Sequence, residues 1–237
     1  MNENENEQQQ IEFLELPTKK LLEKFGEGKH IPGSGSAVAL SGLLASELIK
    51  TVCKLTKRKP EYYNVHTELD YIQVQIETIY QPRFFELFNR DIAVFDEVSR
   101  LRQLRDLATD LNERRRLSRQ ATERLKEATE IPLEICRICL QLSPLAFSIF
   151  DTGFKSARGD SGVAISNLLS AMSGSLFIAF LNLKTGNSSK WVKDLREEAE
   201  KLASQYGKTH KEAIRRITML YSEGLAEDSI QTKLDLE

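Results

Sequence analysis

Very little in this chain interrupts a helix. Six prolines and twelve glycines punctuate 237 residues, so long uninterrupted elements are expected. The three cysteines, Cys53, Cys136 and Cys139, are few and odd in number, which argues against a disulfide scaffold and fits a reducing compartment. Neither sign of charge is in surplus. A formal net charge of −2 leaves no basic excess to neutralise phosphates, which excludes a general nucleic-acid binder. Alternating runs rich in β-branched residues are missing, as are hairpin dipeptides between apolar runs, so no strand is predicted. The first ten residues are polar and acidic and have the form of neither a signal nor a transit peptide. Cys136-Arg137-Ile138-Cys139 has the spacing of half a metal site, but no second pair or nearby histidine accompanies it. These read as core cysteines, and no metal or cofactor is expected.

What is present is an ordinary soluble balance, 41% apolar and 29% charged, in a chain long enough for a substantial core. Apolar residues at helical spacing recur through most of it, and the reading is an all-α bundle of six to eight helices. Residues 1–12 form a disordered tail, 13–224 a single helical domain and 225–237 a frayed end. A short helix opens at Leu16-Pro17-Thr18, and another runs from Gly35 to about Lys57, where Pro60 stops it. A long stretch over 61–107 should kink at Pro82. Asp110 or Asn112 caps the next helix, which should bend at Pro132, and Pro144 restarts the chain as a new helix to about Ser156. The run 162–183 is apolar enough to raise a membrane span. It carries no charged residue but holds four serines and two asparagines, and it reads instead as a buried core helix. Ser188 or Ser189 then caps a helix over 191–206, and a last one covers 209–224.

The two most apolar helices, rich in small residues, should be central, and each follows a polar glycine-containing loop. The first loop is His30-Ile31-Pro32-Gly33-Ser34-Gly35-Ser36 and the second Arg158-Gly159-Asp160-Ser161-Gly162. A helix start of this kind presents N–H groups without intrahelical partners at the positive end of the dipole, which suits anions. Asp160 or Ser161 is placed to cap the second helix. If the two starts lie on one side, they share one pocket. His30 sits beside the first loop and could titrate there.

These loops resemble those of the cyclodeaminase domain of formiminotransferase-cyclodeaminase and of the stand-alone methenyltetrahydrofolate cyclohydrolases. That family has a Pro-Gly-Gly-Gly-Ser loop before a small-residue helix; here Pro32-Gly33-Ser34-Gly35-Ser36 precedes Ala37-Val38-Ala39-Leu40-Ser41-Gly42. The family's Leu-Thr and basic, tyrosine-containing segment corresponds to Leu55-Thr56, Lys57-Arg58-Lys59 and Tyr62. Asp91 and Phe95 match an aspartate and phenylalanine four apart. Ala128 to Leu133 resembles a helix with Val-Pro-Leu, and Gly159-Asp160-Ser161-Gly162-Val163-Ala164 resembles a Ser-Asp-x-Gly-Val-Ala loop. Asn182-Leu183 matches an Ile-Asn-Leu helix end. Two positions differ: Ser34 replaces the middle glycine, and 154–158 lacks an asparagine that the family usually carries there.

The resemblance implies a folate one-carbon enzyme working at the carbon that bridges N5 and N10, with a tetrahydrofolate derivative as substrate. The cyclodeaminase closes 5-formiminotetrahydrofolate to the methenyl form and expels ammonia; the cyclohydrolase adds water to the methenyl carbon. Either reaction needs a group that moves protons at that carbon, and a carboxylate can also stabilise the methenyl cation. Asp91 and Asp160 are the candidates. Gly33, Ser34, Gly35, Ser36 and Ser161 would hold the ligand, and Lys57, Lys59 or Arg158 would meet the glutamyl carboxylates. The resemblance also implies a cytoplasmic homodimer or larger homo-oligomer, with the pocket near a subunit interface and with neither nucleic acid nor membrane as partner. The alternative is a non-catalytic helical dimer that keeps the fold.

Overall fold

The computed structural model describes residues 12–186 and 189–234, the last nine of these by backbone alone. Among the described residues there is no strand. Seven α-helices carry the fold: α1 (Thr18–Gly26), α2 (Ser34–Lys57), α3 (His66–Gln75), α4 (Gln81–Leu107), α5 (Leu111–Thr152), α6 (Arg158–Thr185) and α7 (Lys190–Leu234). Short 3₁₀ turns lie at Phe13–Glu15, Pro60–Val65 and Lys155–Ala157. Of the expected N-terminal tail only Glu12 is described, and Ser188, a predicted cap, is outside the described residues.

Helix ends follow their local chemistry. Pro17 precedes α1, and Gly33, extended at φ −112° and ψ −163°, precedes α2. Asp110 caps α5 by accepting the Glu113 N–H at 2.7 Å. Pro82 is accommodated without a break. The turn before α4, Ile76–Tyr80, widens to a π-helix, in which the Gln81 N–H reaches the Ile76 carbonyl. The extra residue moves the preceding carbonyls out of the way of a proline ring that has no N–H to offer them.

Three expectations are corrected. Pro144 does not restart the chain as a new helix: α5 runs through it, and through Pro132, over 42 residues. Gly207 does not end a helix: α7 continues from Lys190 to Leu234, past the expected stop at 224. The polar stretch 158–162 is the first turn of α6 rather than a loop, so its start falls at Arg158 and Ala157 takes the N-cap place with no side-chain cap. Asp160 is therefore not a cap. It sits in the first turn, where its charge suits the dipole.

Helix α2 packs against α6, α4 and α5, and α5 against α4, α6 and α7. Close approach depends on glycine at two crossings. A Cβ on Gly174 would come 2.6 Å from Val38, and one on Gly42 would come 2.5 Å from the Phe84 ring. The core runs through Val38, Ile49, Phe84, Phe88, Leu133, Leu142, Leu168 and Met172. Helices α2 and α5, and the stretch Lys155–Thr185, are each long and apolar enough to cross a membrane by length and composition, and each turns about half of that length inward.

Candidate active site

Helices α2 and α6 run antiparallel, and this decides what the site contains. Near its N-terminus, α2 lies beside the C-terminal part of α6, where Ile178, Leu181 and Asn182 share a cavity with Gly33, Ser34 and Gly35. At its other end, Thr56 Oγ accepts the Phe154 N–H at 2.9 Å, just before α6 begins. A helix of 24 residues is about 36 Å long, so the two glycine-containing starts lie at opposite ends of the pair. Within one chain they do not form one pocket.

The cavity at the α2 start holds about 250 Å³ and is lined by His30, Gly33, Ser34, Gly35, Asp91, Phe95, Ala128, Ile178, Leu181 and Asn182. Asp91 is its buried charge, 7% exposed. It projects from α4 against the first turn of α2 and accepts the Ser36 hydroxyl at 2.9 Å, with the Ser36 backbone N–H also acting on it. Burial pushes its carboxyl pKa up, and the two Ser36 bonds pull it partly back. Gly35 makes this approach possible: a Cβ there would stand 2.0 Å from one Asp91 carboxylate oxygen and 2.7 Å from the other. The glycine that matters is thus Gly35. Ser34, which replaces the family's middle glycine, opens α2 on the surface, and no described non-glycine residue has a positive φ.

Asn182 enters through Pro132. Proline at 132 has no N–H, so the Ala128 carbonyl four residues earlier loses its helical donor. The Asn182 amide supplies that bond at 3.0 Å, from a side chain 9% exposed. The Ala128–Leu133 and Asn182-Leu183 segments are therefore one hydrogen-bonded unit in the cavity wall. Both segments carry the family resemblance, but the resemblance implies no role for Asn182. The signal is an asparagine near the end of an apolar helix and a helix-interior proline whose freed carbonyl needs a donor. His30, beside the first loop, is also part of the site. It lines the cavity, with Nε2 2.8 Å from Asp96 Oδ1 and its ring 6.4 Å from that of Phe95.

The remaining predicted residues occupy the far end. Lys57 pairs with Asp70, and Lys59 lies 4.8 Å over the Phe154 ring. Arg158 binds Glu223 at 2.6 Å and the Phe150 carbonyl at 3.2 Å, and lines a groove of about 470 Å³ between α6 and α7. The Ser161 hydroxyl donates to the Arg158 carbonyl, and Asp160 is half-buried. Cys53, Cys136 and Cys139 are buried and unpaired, and no group of metal-binding side chains occurs among the described residues.

Comparison with known proteins gives three findings. The sequence pattern described as formiminotransferase-cyclodeaminase matches residues 17–201. A methenyltetrahydrofolate cyclohydrolase of Methylorubrum extorquens is 27% identical over 176 residues, 74% of this chain and 83% of that protein. The crystal structure of formiminotetrahydrofolate cyclodeaminase from Thermotoga maritima superposes with a TM-score of 0.75 at 21% identity, covering 89% of this chain and 100% of that one, which establishes the shared fold. The matched span contains most of the chain and every residue lining the Asp91 cavity, and the chain belongs to the formiminotransferase-cyclodeaminase family.

Proposed function

We propose that this protein is an enzyme of folate one-carbon metabolism, of the cyclodeaminase or cyclohydrolase type, acting at the carbon between N5 and N10. The observation that carries this reading is the buried Asp91 carboxylate, held by Ser36 in a small cavity that Gly35 keeps open. A desolvated carboxylate is a strong partner for a methenyl cation, and its raised pKa brings it nearer to neutral-pH proton transfer. The cyclohydrolase named among the relatives and the cyclodeaminase named among the solved structures supply the two candidate reactions. The chain's own residues do the work proposed; no cofactor takes part.

We further propose that the functional unit is a cytoplasmic homodimer in which a second copy completes the pocket. One chain separates the two family loops by roughly the length of α2, about 36 Å. An antiparallel pairing across the exposed sides of α2 and α6 would bring the partner subunit's Asp160 to the Asp91 cavity. The partner subunit's Lys57, Lys59 and Arg158 would come with it, within reach of the glutamyl tail. Leu44, Val163, Phe177 and Leu181, all exposed, would be covered by that pairing.

Two cuvettes test the reaction. Purified protein is added to methenyltetrahydrofolate, and loss of its near-ultraviolet absorbance is followed above the spontaneous rate; 5-formiminotetrahydrofolate is given in the second, and appearance of the same band is followed. Activity in one cuvette identifies the reaction. If neither changes and calorimetry detects no folate binding, the enzyme reading fails and a non-catalytic helical dimer takes its place. The composite site has its own test. Equal mixing of inactive Asp91→Asn and Asp160→Asn proteins, with subunit exchange, should restore about a quarter of wild-type activity, because each mixed dimer keeps one intact site. No restoration in proven mixed dimers contradicts it.

A further inference from the structure

Besides Asp91, His30 is the one titratable side chain lining the Asp91 cavity among the described residues. It precedes the helix start and belongs to no family motif quoted above. Asp96, on α4, holds its ring at 2.8 Å through Nε2, and the Phe95 ring lies beside it. A carboxylate only accepts hydrogen bonds, so Nε2 carries the proton and Nδ1 keeps its lone pair. No described hydrogen bond occupies Nδ1. A carboxylate on one imidazole nitrogen fixes the tautomer and orients the ring.

We propose that His30, positioned by Asp96, is a second proton-handling residue of this cavity and acts as the base toward the attacking water. This rests on the cyclohydrolase form of the function proposed above. As the water oxygen bonds to the bridging carbon, one water proton passes to His30 Nδ1. The C=N⁺ electron pair returns to nitrogen, leaving a neutral carbinolamine and an imidazolium held by Asp96. The C–N bond to N5 then breaks. The imidazolium proton goes to N5, the carbinolamine hydroxyl proton goes to Asp91, and the carbonyl of the formyl product forms. Asp91 releases its proton to solvent, which accounts for the single proton that hydrolysis of a cation yields. Two groups are needed because Asp91 cannot both stabilise the cation as an anion and accept the water proton at the same moment. The charged groups around His30 are Asp91 and Asp96 from α4 and the Glu27–Lys29 pair before its own loop.

Steady-state hydrolysis of methenyltetrahydrofolate by the full-length protein tests this. His30→Ala should lower kcat about 100-fold while leaving KM within about threefold, and added imidazole should recover part of the loss. Asp96→Asn should lower kcat less than His30→Ala does, again with KM within about threefold, since the ring keeps its base but loses the carboxylate that fixes its tautomer and orientation. A His30→Ala enzyme with wild-type kcat overturns the proposal. So does one whose loss lies wholly in KM, or a loss that imidazole leaves unchanged in a protein with wild-type melting. A wild-type protein that does not hydrolyse methenyltetrahydrofolate would instead overturn the cyclohydrolase form of the function proposed above, and with it this role of His30, which keeps the two failures distinct.

Discussion

Replacing Gly35 by alanine adds one methyl group at the tightest contact in the cavity. Its ideal Cβ position is 2.0 Å from Asp91 Oδ1, 2.4 Å from Cγ and 2.7 Å from Oδ2, all well inside van der Waals contact. Either the carboxylate or the first turn of α2 must move by more than 1 Å, roughly the deficit against ordinary contact distances. The carboxylate is 7% exposed and tied to Ser36, so neither movement is free. Overpacking of this kind costs about 1–3 kcal/mol, of which the better helix propensity of alanine returns up to about 1 kcal/mol. With the full return subtracted, the net loss of about 0–2 kcal/mol corresponds to a fall in Tm of up to about 8 °C for a chain of this size. Displacing a reacting group by 1 Å costs about 100-fold in rate, and that is the expected loss in kcat/KM for Gly35→Ala. Gly207→Ala is the control: nothing lies within 4 Å of the added atom, and it sits inside α7, so Tm should hold or rise and activity stay unchanged. If Gly35→Ala melts and turns over like wild type, Gly35 is not what gives Asp91 its place.

Asn182→Leu should destabilise the protein by about 1–3 kcal/mol by leaving the Ala128 carbonyl unpaired; in a Pro132→Ala background the new N–H satisfies that carbonyl and the cost should shrink, which urea melts of the four proteins would show. Because burial raises the Asp91 pKa, its contribution to stability is fully present below the ordinary carboxylate value of about 4 and is lost as pH rises through the native value. Asp91→Asn should therefore melt at or above the wild-type temperature at pH 7, and the two should converge in acid; a lower Asp91→Asn melting point at pH 7 contradicts this. Burial pushes the thiols of Cys53 and Cys136 up to about 12 and that of Cys139 well above its usual value, so a thiol reagent at pH 8 should label none of the three in the native protein and all of them in guanidinium. Rapid labelling of folded protein would refute that burial.

The all-α class and the start of α2 were legible because they rest on local chemistry: helical spacing, Pro32 and the Gly33–Ser36 loop before an apolar run, and Asp110 as a cap. Helix interruptions were not, because local rules treat proline and glycine by intrinsic cost. Pro132 survives inside α5 because Asn182, 54 residues beyond Ala128 in the chain, donates to the Ala128 carbonyl that the proline leaves unpaired. Pro82 survives because the π turn makes room for it. Gly207 is spanned because α7 packs on α5 and α6, and tertiary burial outweighs about 1 kcal/mol of propensity. The relative direction of α2 and α6 leaves no mark in periodicity or composition. That direction separates Asp91 from Asp160 within one chain, and it moved Asn182 and His30 into the site.

The central claim is that the chemistry runs through a buried Asp91 held at the α2 start, and kcat/KM for methenyltetrahydrofolate in wild type and Asp91→Asn tests it most directly, with Tm measured on the same samples. The account predicts a loss of about 100-fold or more with Tm unchanged or raised, since asparagine keeps the shape and removes the charge and the titrating proton. An Asp91→Asn protein that hydrolyses the substrate at the wild-type rate would contradict it.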